Sequence, residues 1–282
     1  MNIKEIEAKT IVNRSNLPEA DYVINPYVGC AHGCIYCYSR FMIRFTGHKG
    51  EKWGSFVDVK TNAPQLVERE IREVKDSETI FLSSVTDPYQ PLERKYQLTR
   101  QVLEAVIALP RFQQPIISIL TKSDLVLRDI DLLQKIRQCE VGLSFSTLDD
   151  KIRQIFEPHS GAVSRRIFAL EELKRNGITT YMFIGPILPG ITELEQLFQL
   201  AQKCQVNFIM AENLNLRGSI WSDVRLTVSQ VFPNLLPLYE EVFKNPSLYW
   251  ARIREQVEEL GKKYKISTKI FFEHQKLISL PK

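Results

Sequence analysis

The sequence predicts an α/β protein built from parallel βα units, and three observations carry that prediction. Six short apolar runs of strand length alternate with stretches whose apolar residues recur at helical spacing. Each helical stretch is long enough to cross over between parallel strands, and right-handed crossovers either curl such units into a barrel or spread them as an open sheet. The 282 residues, 44% hydrophobic and 25% charged, suit one large domain or two smaller ones with a sizeable core. Periodicity alone does not choose between barrel and sheet.

Taken in order, residues 1–20 are polar and read as an irregular N-terminal arm. Residues 21–25 form a first strand, ended by Pro26, which lacks a ladder donor. A cysteine-rich loop follows, then an insertion over 41–54 rich in Arg, Lys, Gly and aromatics, and a short alternating strand at 56–60. Asn62 is placed to cap a helix with Pro64 in its first turn, and Leu66, Val67, Glu70, Ile71 and Val74 continue it. Strands at 79–82, 116–120, 141–146, 179–184 and 207–211 follow. The helices around them span 99–109, 123–136 from a cap at Ser123, a short stretch to Phe156 from a cap at Asp149, 164–176 stopped by Gly177, and a stretch begun by Thr192. Beyond Ala211 a loop rich in Asn and Ser leads to helices at 235–244 and 246–265 and a last strand at 268–272. No Pro/Gly/Ser-rich linker sets this part off, so it reads as an extension of the same domain.

Composition excludes several classes. No apolar run approaches the roughly 18 residues of a membrane span, and the acidic start Met-Asn-Ile-Lys-Glu-Ile-Glu does not resemble a signal peptide. Five cysteines, three of them in one loop, do not make a disulfide framework, so a reducing cytoplasm is the expected compartment. The net charge of +4 permits an anionic partner without demanding one. The densest basic runs, Arg165-Arg166 and Lys262-Lys263, read as solvated helix faces. Trp53 and Phe56 beside Lys49 and Lys52 offer either an aromatic-basic surface for nucleic acid or a lid. His159 and His274 read as surface or packing residues.

The chemistry concentrates at Gly29-Cys-Ala-His-Gly-Cys-Ile-Tyr-Cys-Tyr38, where Cys30, Cys34 and Cys37 fall within eight positions. Gly29 and Gly33 allow the sharp bends that turn three thiols inward. Thiolates favour iron–sulfur clusters or zinc, and three of them are one short of the usual four. Zinc would need His32 or His48 as a fourth ligand, and His32 lies between two of the cysteines, where its ring and the thiols would crowd one ion. In parallel βα folds ligands gather at the C-terminal ends of strands. That rule adds Asp87, which either binds a ligand or holds its turn; Lys122, an ammonium directly after an apolar strand; and Ser144 and Ser146, on one face of their strand by alternation.

The spacing Cys30-x-x-x-Cys34-x-x-Cys37, with Tyr36 before the last cysteine, resembles the cluster loop of the radical S-adenosylmethionine (SAM) superfamily. The resemblance implies a partial (β/α)6 TIM-type barrel over residues 21–213 with a helical and strand extension over 214–282. It implies a 4Fe–4S cluster on Cys30, Cys34 and Cys37, with SAM on the open iron cleaved to a 5′-deoxyadenosyl radical. It also implies a reductant such as ferredoxin or flavodoxin. Asn25-Pro26-Tyr27, Thr86-Asp87-Pro88-Tyr89-Gln90-Pro91, Leu120-Thr121-Lys122-Ser123 with Arg128-Asp129, Glu157-Pro158 and Arg165-Arg166 are similar to the spore photoproduct lyase-related branch. In that comparison Tyr36, Tyr38, Lys122 and one of Ser144 or Ser146 match SAM-contacting positions; Tyr36, Lys122, Ser144 and Ser146 are taken as candidate SAM contacts, and Tyr38 and Asp87 as candidate catalytic residues. The lyase carries a hydrogen-donating cysteine where this chain has Ser84, a hydroxyl whose O–H bond is too strong for that task. Photoproduct repair is therefore disfavoured, and so are classes that need a second all-cysteine cluster, since only Cys139 and Cys204 remain. A cluster- or zinc-bearing module that binds nucleic acid or protein without turnover is the alternative.

Overall fold

Parallel pairing, as the βα alternation predicts, organises the main sheet. The computed structural model describes residues 1–272; His274 lies outside the described residues. The strands are β1 (Asn2–Ile6), β2 (Val12–Arg14), β3 (Tyr22–Ile24), β4 (Tyr27–Val28), β5 (Phe56–Lys60), β6 (Thr79–Leu82), β7 (Ile116–Thr121), β8 (Cys139–Phe145), β9 (Thr179–Ile187), β10 (Phe208–Asn213) and β11 (Ser267–Phe271). The helices are α1 (Ala63–Glu70), α2 (Glu93–Tyr96), α3 (Leu98–Ala108), α4 (Ile130–Leu133), α5 (Asp150–Phe156), α6 (Val163–Arg175), α7 (Leu194–Lys203), α8 (Ser219–Val231), α9 (Leu236–Lys244) and α10 (Pro246–Tyr264).

Eight strands run in the order β11-β10-β9-β8-β7-β6-β3-β2. Seven are mutually parallel, and β2 pairs antiparallel with β3 at one edge. All six expected βα strands are present, and the strand expected in the extension joins the same sheet as β11, pairing with β10. The edges meet: Lys269 on β11 donates to Glu19, in the connection between β2 and β3. The sheet is thus curled as an incomplete barrel. Its strands and helices bury one continuous core that includes Ile24, Leu82, Ile119, Leu143 and Ile184.

The N-terminal arm is not irregular. β1 pairs parallel with β5, which also pairs antiparallel with β4, in a separate three-stranded sheet. Asn62 does not cap its own helix. Its amide instead accepts from Ala8 N and donates to Ala8 O, both at 2.9 Å. Glu70 completes the anchorage by accepting from Ile11 N at 2.9 Å and Val12 N at 3.0 Å, and Ile11 is fully buried. By contrast Ser123 and Asp149 cap as expected, accepting from Leu125 N and from Lys151 N and Ile152 N.

The structure adds helical segments that the sequence pattern does not predict, α2 among them. α8 falls where an Asn/Ser-rich loop was expected, because Gly218 and Ser219 at its start read as loop while Ile220, Val224 and Val228 form its buried stripe. A 3-10 helix, Tyr38–Phe45, opens the segment read as an insertion. Trp53 and Phe56 are buried, so they present no exposed aromatic surface.

Glu70→Ala removes the acceptor of two amides. It is expected to lower unfolding stability by about 2 kcal/mol in urea titrations, and to expose Lys9 and Arg14 to trypsin in the otherwise folded protein.

Candidate active site

The cysteine loop lies at the C-terminal end of the curled sheet, clamped from two sides. On one side the turn after β6 holds it: Thr86 Oγ1 donates to Gly29 O at 2.6 Å, and Gln90 Oε1 accepts from Ala31 N at 3.0 Å. On the other, the residues ending α5 hold it, since Ile35 N donates to Phe156 O at 3.0 Å and His159 N to His32 O at 3.2 Å. The loop also passes close to the insertion. At Gly54, with φ of +93°, a Cβ would sit 2.6 Å from Gly33 Cα, so no side chain fits there.

A cavity of about 360 Å³ opens below the loop. Cys30, Cys34 and Cys37 line it together with Tyr36, Tyr38, Asp87, Lys122 and Ser144. The expected site residues therefore gather around one space, with Ser146 set behind Tyr36. Ser84, Gly185 and Asn213 line it too, from the strand ends named by the ligand rule.

One buried charge network organises the polar wall. The Tyr36 hydroxyl donates to Glu157 Oε1 and lies 3.2 Å from Ser146 Oγ. Glu157 Oε2 accepts from Arg166 Nη2 at 2.5 Å, and both side chains are 1% exposed. Arg166 Nη1 donates to Ser144 O at 2.7 Å, and Lys122 Nζ donates to Ser144 Oγ at 2.6 Å while standing 3.9 Å from Glu157 Oε1. Burial works to raise the Glu157 carboxyl, but the charges of Arg166 and Lys122 and the Tyr36 hydrogen bond outweigh it and hold the group at about 2. Arg166 is thus no solvated helix residue; Arg165 beside it is the exposed one. Glu157 and Arg166 were legible only as motif fragments. The missed signal was position: Arg166 shares the buried stripe of α6 with Val163, Ala169, Leu170 and Leu173.

Asp87 is fully engaged. Its Oδ1 accepts from Tyr89 N at 2.8 Å and Thr121 Oγ1 at 2.6 Å, and its Oδ2 accepts from Lys122 N at 2.8 Å and lies 3.4 Å from His32 Nδ1. The carboxylate thereby ties the end of β6 to the end of β7 and sets the backbone that carries Lys122. Tyr38, 39% exposed at the cavity rim, donates to the carbonyl of Ser84, whose hydroxyl accepts from Asn25 Nδ2 at 3.2 Å.

The donor set fits an iron–sulfur cluster better than a single ion. No three His, Cys, Asp or Glu side chains among the described residues are grouped closely enough to hold one metal ion. His48, a suggested fourth zinc ligand, has both ring nitrogens committed, Nδ1 to Glu51 at 2.7 Å and Nε2 to Asp58 at 2.9 Å. Burial opposes its charge, yet those carboxylates prevail and raise its pKa. Burial, then the nearby charge of Asp87, pushes the Cys30 thiol up to about 12, and burial raises Cys34 and Cys37 as well. Thiols so placed ionise only against a cationic centre. Ser83 Oγ and Asn213 Oδ1 are buried, line the cavity and have no hydrogen-bond partner among the described residues, so the space is furnished for a polar ligand.

Comparison with known proteins gives a consistent result. A family model described as the radical SAM superfamily matches residues 24–201. An uncharacterised protein of Methanocaldococcus jannaschii is 37% identical over 263 residues, covering 93% of this chain and 95% of that protein. A radical SAM Nalpha-GlyT isomerase of Pseudomonas phage M6 is 28% identical over 181 residues, 63% of this chain and 35% of its own. A solved mutant of spore photoproduct lyase shares the fold, with a TM-score of 0.69 at 14% identity over 96% of this chain and 82% of that one.

The network makes a pH prediction. The folded Glu157 carboxyl lies below its unfolded value of ~4.3, so its contribution is complete above that value and is lost as pH falls towards 2. Glu157→Gln is expected to flatten this acid limb in unfolding titrations. It is also expected to cost about 3–5 kcal/mol at neutral pH by leaving Arg166 buried and unpaired.

Proposed function

The chain belongs to the radical SAM superfamily, which implies a 4Fe–4S cluster and SAM as cofactors, and from that premise we propose an enzyme that uses both at the cavity under the cysteine loop. The observation carrying this reading is the convergence of three thiols, Tyr36 and the Lys122–Ser144 pair on one 360 Å³ space at the strand ends. Cys30, Cys34 and Cys37 are the cluster ligands in this reading, leaving one iron open to SAM. Bound there, cluster and SAM supply a one-electron cleavage that yields a 5′-deoxyadenosyl radical able to take a hydrogen atom from substrate.

The remaining roles belong to the chain. Lys122 offers its ammonium to the SAM carboxylate, held in place by Ser144 and by the backbone that Asp87 fixes. Ser144 Oγ is the hydroxyl nearest that charge, whereas Ser146 acts through Tyr36, whose ring Glu157 orients against the cluster loop. Tyr38 stands at the rim with its hydroxyl on the Ser84 carbonyl, a position suited to touching substrate as well as closing the site. Curling of the sheet and burial of the loop keep water and oxygen from the reacting atoms. We extend neither the isomerase's nor the photoproduct lyase's substrate to this chain. With Ser84 in place of a thiol, repair by thiol hydrogen donation has no donor at that position.

Protein reconstituted anaerobically with iron and sulfide and reduced with dithionite is expected to form 5′-deoxyadenosine from SAM, and Cys30→Ala to form none. A loaded cluster that neither binds nor cleaves SAM would overturn the reading in favour of a metal-bearing binding module. Lys122→Met is expected to weaken SAM binding about 10- to 100-fold, the loss of one charge-assisted hydrogen bond, measured by calorimetry on the reconstituted protein.

A further inference from the structure

The outer side of the cysteine loop carries a second surface. The 3-10 helix Tyr38–Phe45 begins at Cys37, and the insertion after it packs Trp53 and Phe56 against Cys30, with Met42 and Ile43 alongside. Gly29 is pressed so closely on Phe56 that a Cβ there would lie 2.6 Å from Phe56 O. Residues 40–54 thus form the outer cover of the cysteine loop, and none of them lines the cavity. Outward, this cover shows Phe41 and Phe45, 41% and 75% exposed and packed edge to face at 6.3 Å. Arg44, Lys49 and Lys52 of the same segment are exposed. The local carboxylates are already committed: Glu51 faces His48, and Asp223 faces Arg40 at 2.6 Å.

We propose that this cover is the docking surface for an acidic one-electron carrier protein, which delivers the reducing electron to the cluster through the Cys30–Cys37 side of the loop. The inference rests on the function proposed above, since only a cluster gives the carrier an acceptor. Three features favour this occupant. Exposed cations with no ion-pair partner among the described residues, on the same segment as exposed Phe41 and Phe45, suit a carrier with an acidic rim, in which complementary charge steers encounter. The surface backs directly onto the cysteines, and electron transfer weakens steeply with distance. It also lies outside the cavity, whereas a substrate surface should open into it.

The test uses flavodoxin and a 2[4Fe–4S] ferredoxin, both acidic, as probes, with the triple variant Arg44→Glu/Lys49→Glu/Lys52→Glu. Two readouts are taken: carrier binding to the cluster-free protein by fluorescence anisotropy, and 5′-deoxyadenosine formation by the reconstituted enzyme. At least one carrier is expected to bind the wild type more weakly as salt rises. The variant is expected to lose about tenfold or more in that binding and in carrier-driven product, while its dithionite-driven product stays within about twofold. Neither carrier binding, or both readouts surviving charge reversal, overturns the proposal. So does a single-stranded oligonucleotide whose binding is lost in the variant while carrier binding persists, which assigns the surface to nucleic acid. Absence of product with dithionite in the wild type overturns the enzymatic reading itself, and the carrier's role with it.

Discussion

The site depends on a carboxylate kept ionised inside the protein. Glu157 is almost without solvent contact, a setting that by itself favours the neutral acid, and it stays charged because Arg166, equally buried, faces it at 2.5 Å. From this pair the geometry spreads outward. Glu157 fixes the Tyr36 hydroxyl, Arg166 fixes the Ser144 carbonyl, and Lys122 completes the arc through the Ser144 hydroxyl. Buried ion pairs are seldom a net source of stability, but they are strict about geometry, because misplacing one partner strands the other. Here that strictness falls on Tyr36, an aromatic side chain one residue before Cys37.

A second clamp works by hydrogen bonds to the backbone. Asp87 gathers Tyr89 N, Lys122 N and the Thr121 hydroxyl, while Thr86 and Gln90 from the same turn hold Gly29 O and Ala31 N. One turn after β6 therefore positions both the cysteine loop and the lysine facing it. The two clamps grip opposite ends of the loop, and this spares the loop itself from needing regular structure. Its chemistry can then be set by the three cysteines and its shape by the glycines.

The parallel sheet and the place of the site were legible because both follow from short-range pattern. Strand period, helix period and the rule that ligands gather at strand ends point to Lys122, Ser144 and the cysteine loop. Features fixed by long-range contact were not. Asn62 has the identity and position of a helix cap, and only the docking of Ala8 from 54 residues away takes its amide elsewhere. β1 is polar and largely exposed, so nothing in its composition signals a strand; its partner β5 supplies the order. Arg166 looks like any helix-start arginine until the stripe it shares with Leu170 and Leu173 is read as core.

Seven backbone ladders join the eight strands of the incomplete barrel, and where its edges meet Lys269 and Glu19 form an ion pair of partly exposed side chains. Ladders between strands cannot lengthen without giving up several hydrogen bonds together, whereas an exposed ion pair is worth about 0–1 kcal/mol. Strain applied from within is therefore relieved first at this seam. Leu17, Glu19 and Phe271 beside it line the cavity, so the weakest junction of the sheet is also part of the cavity wall.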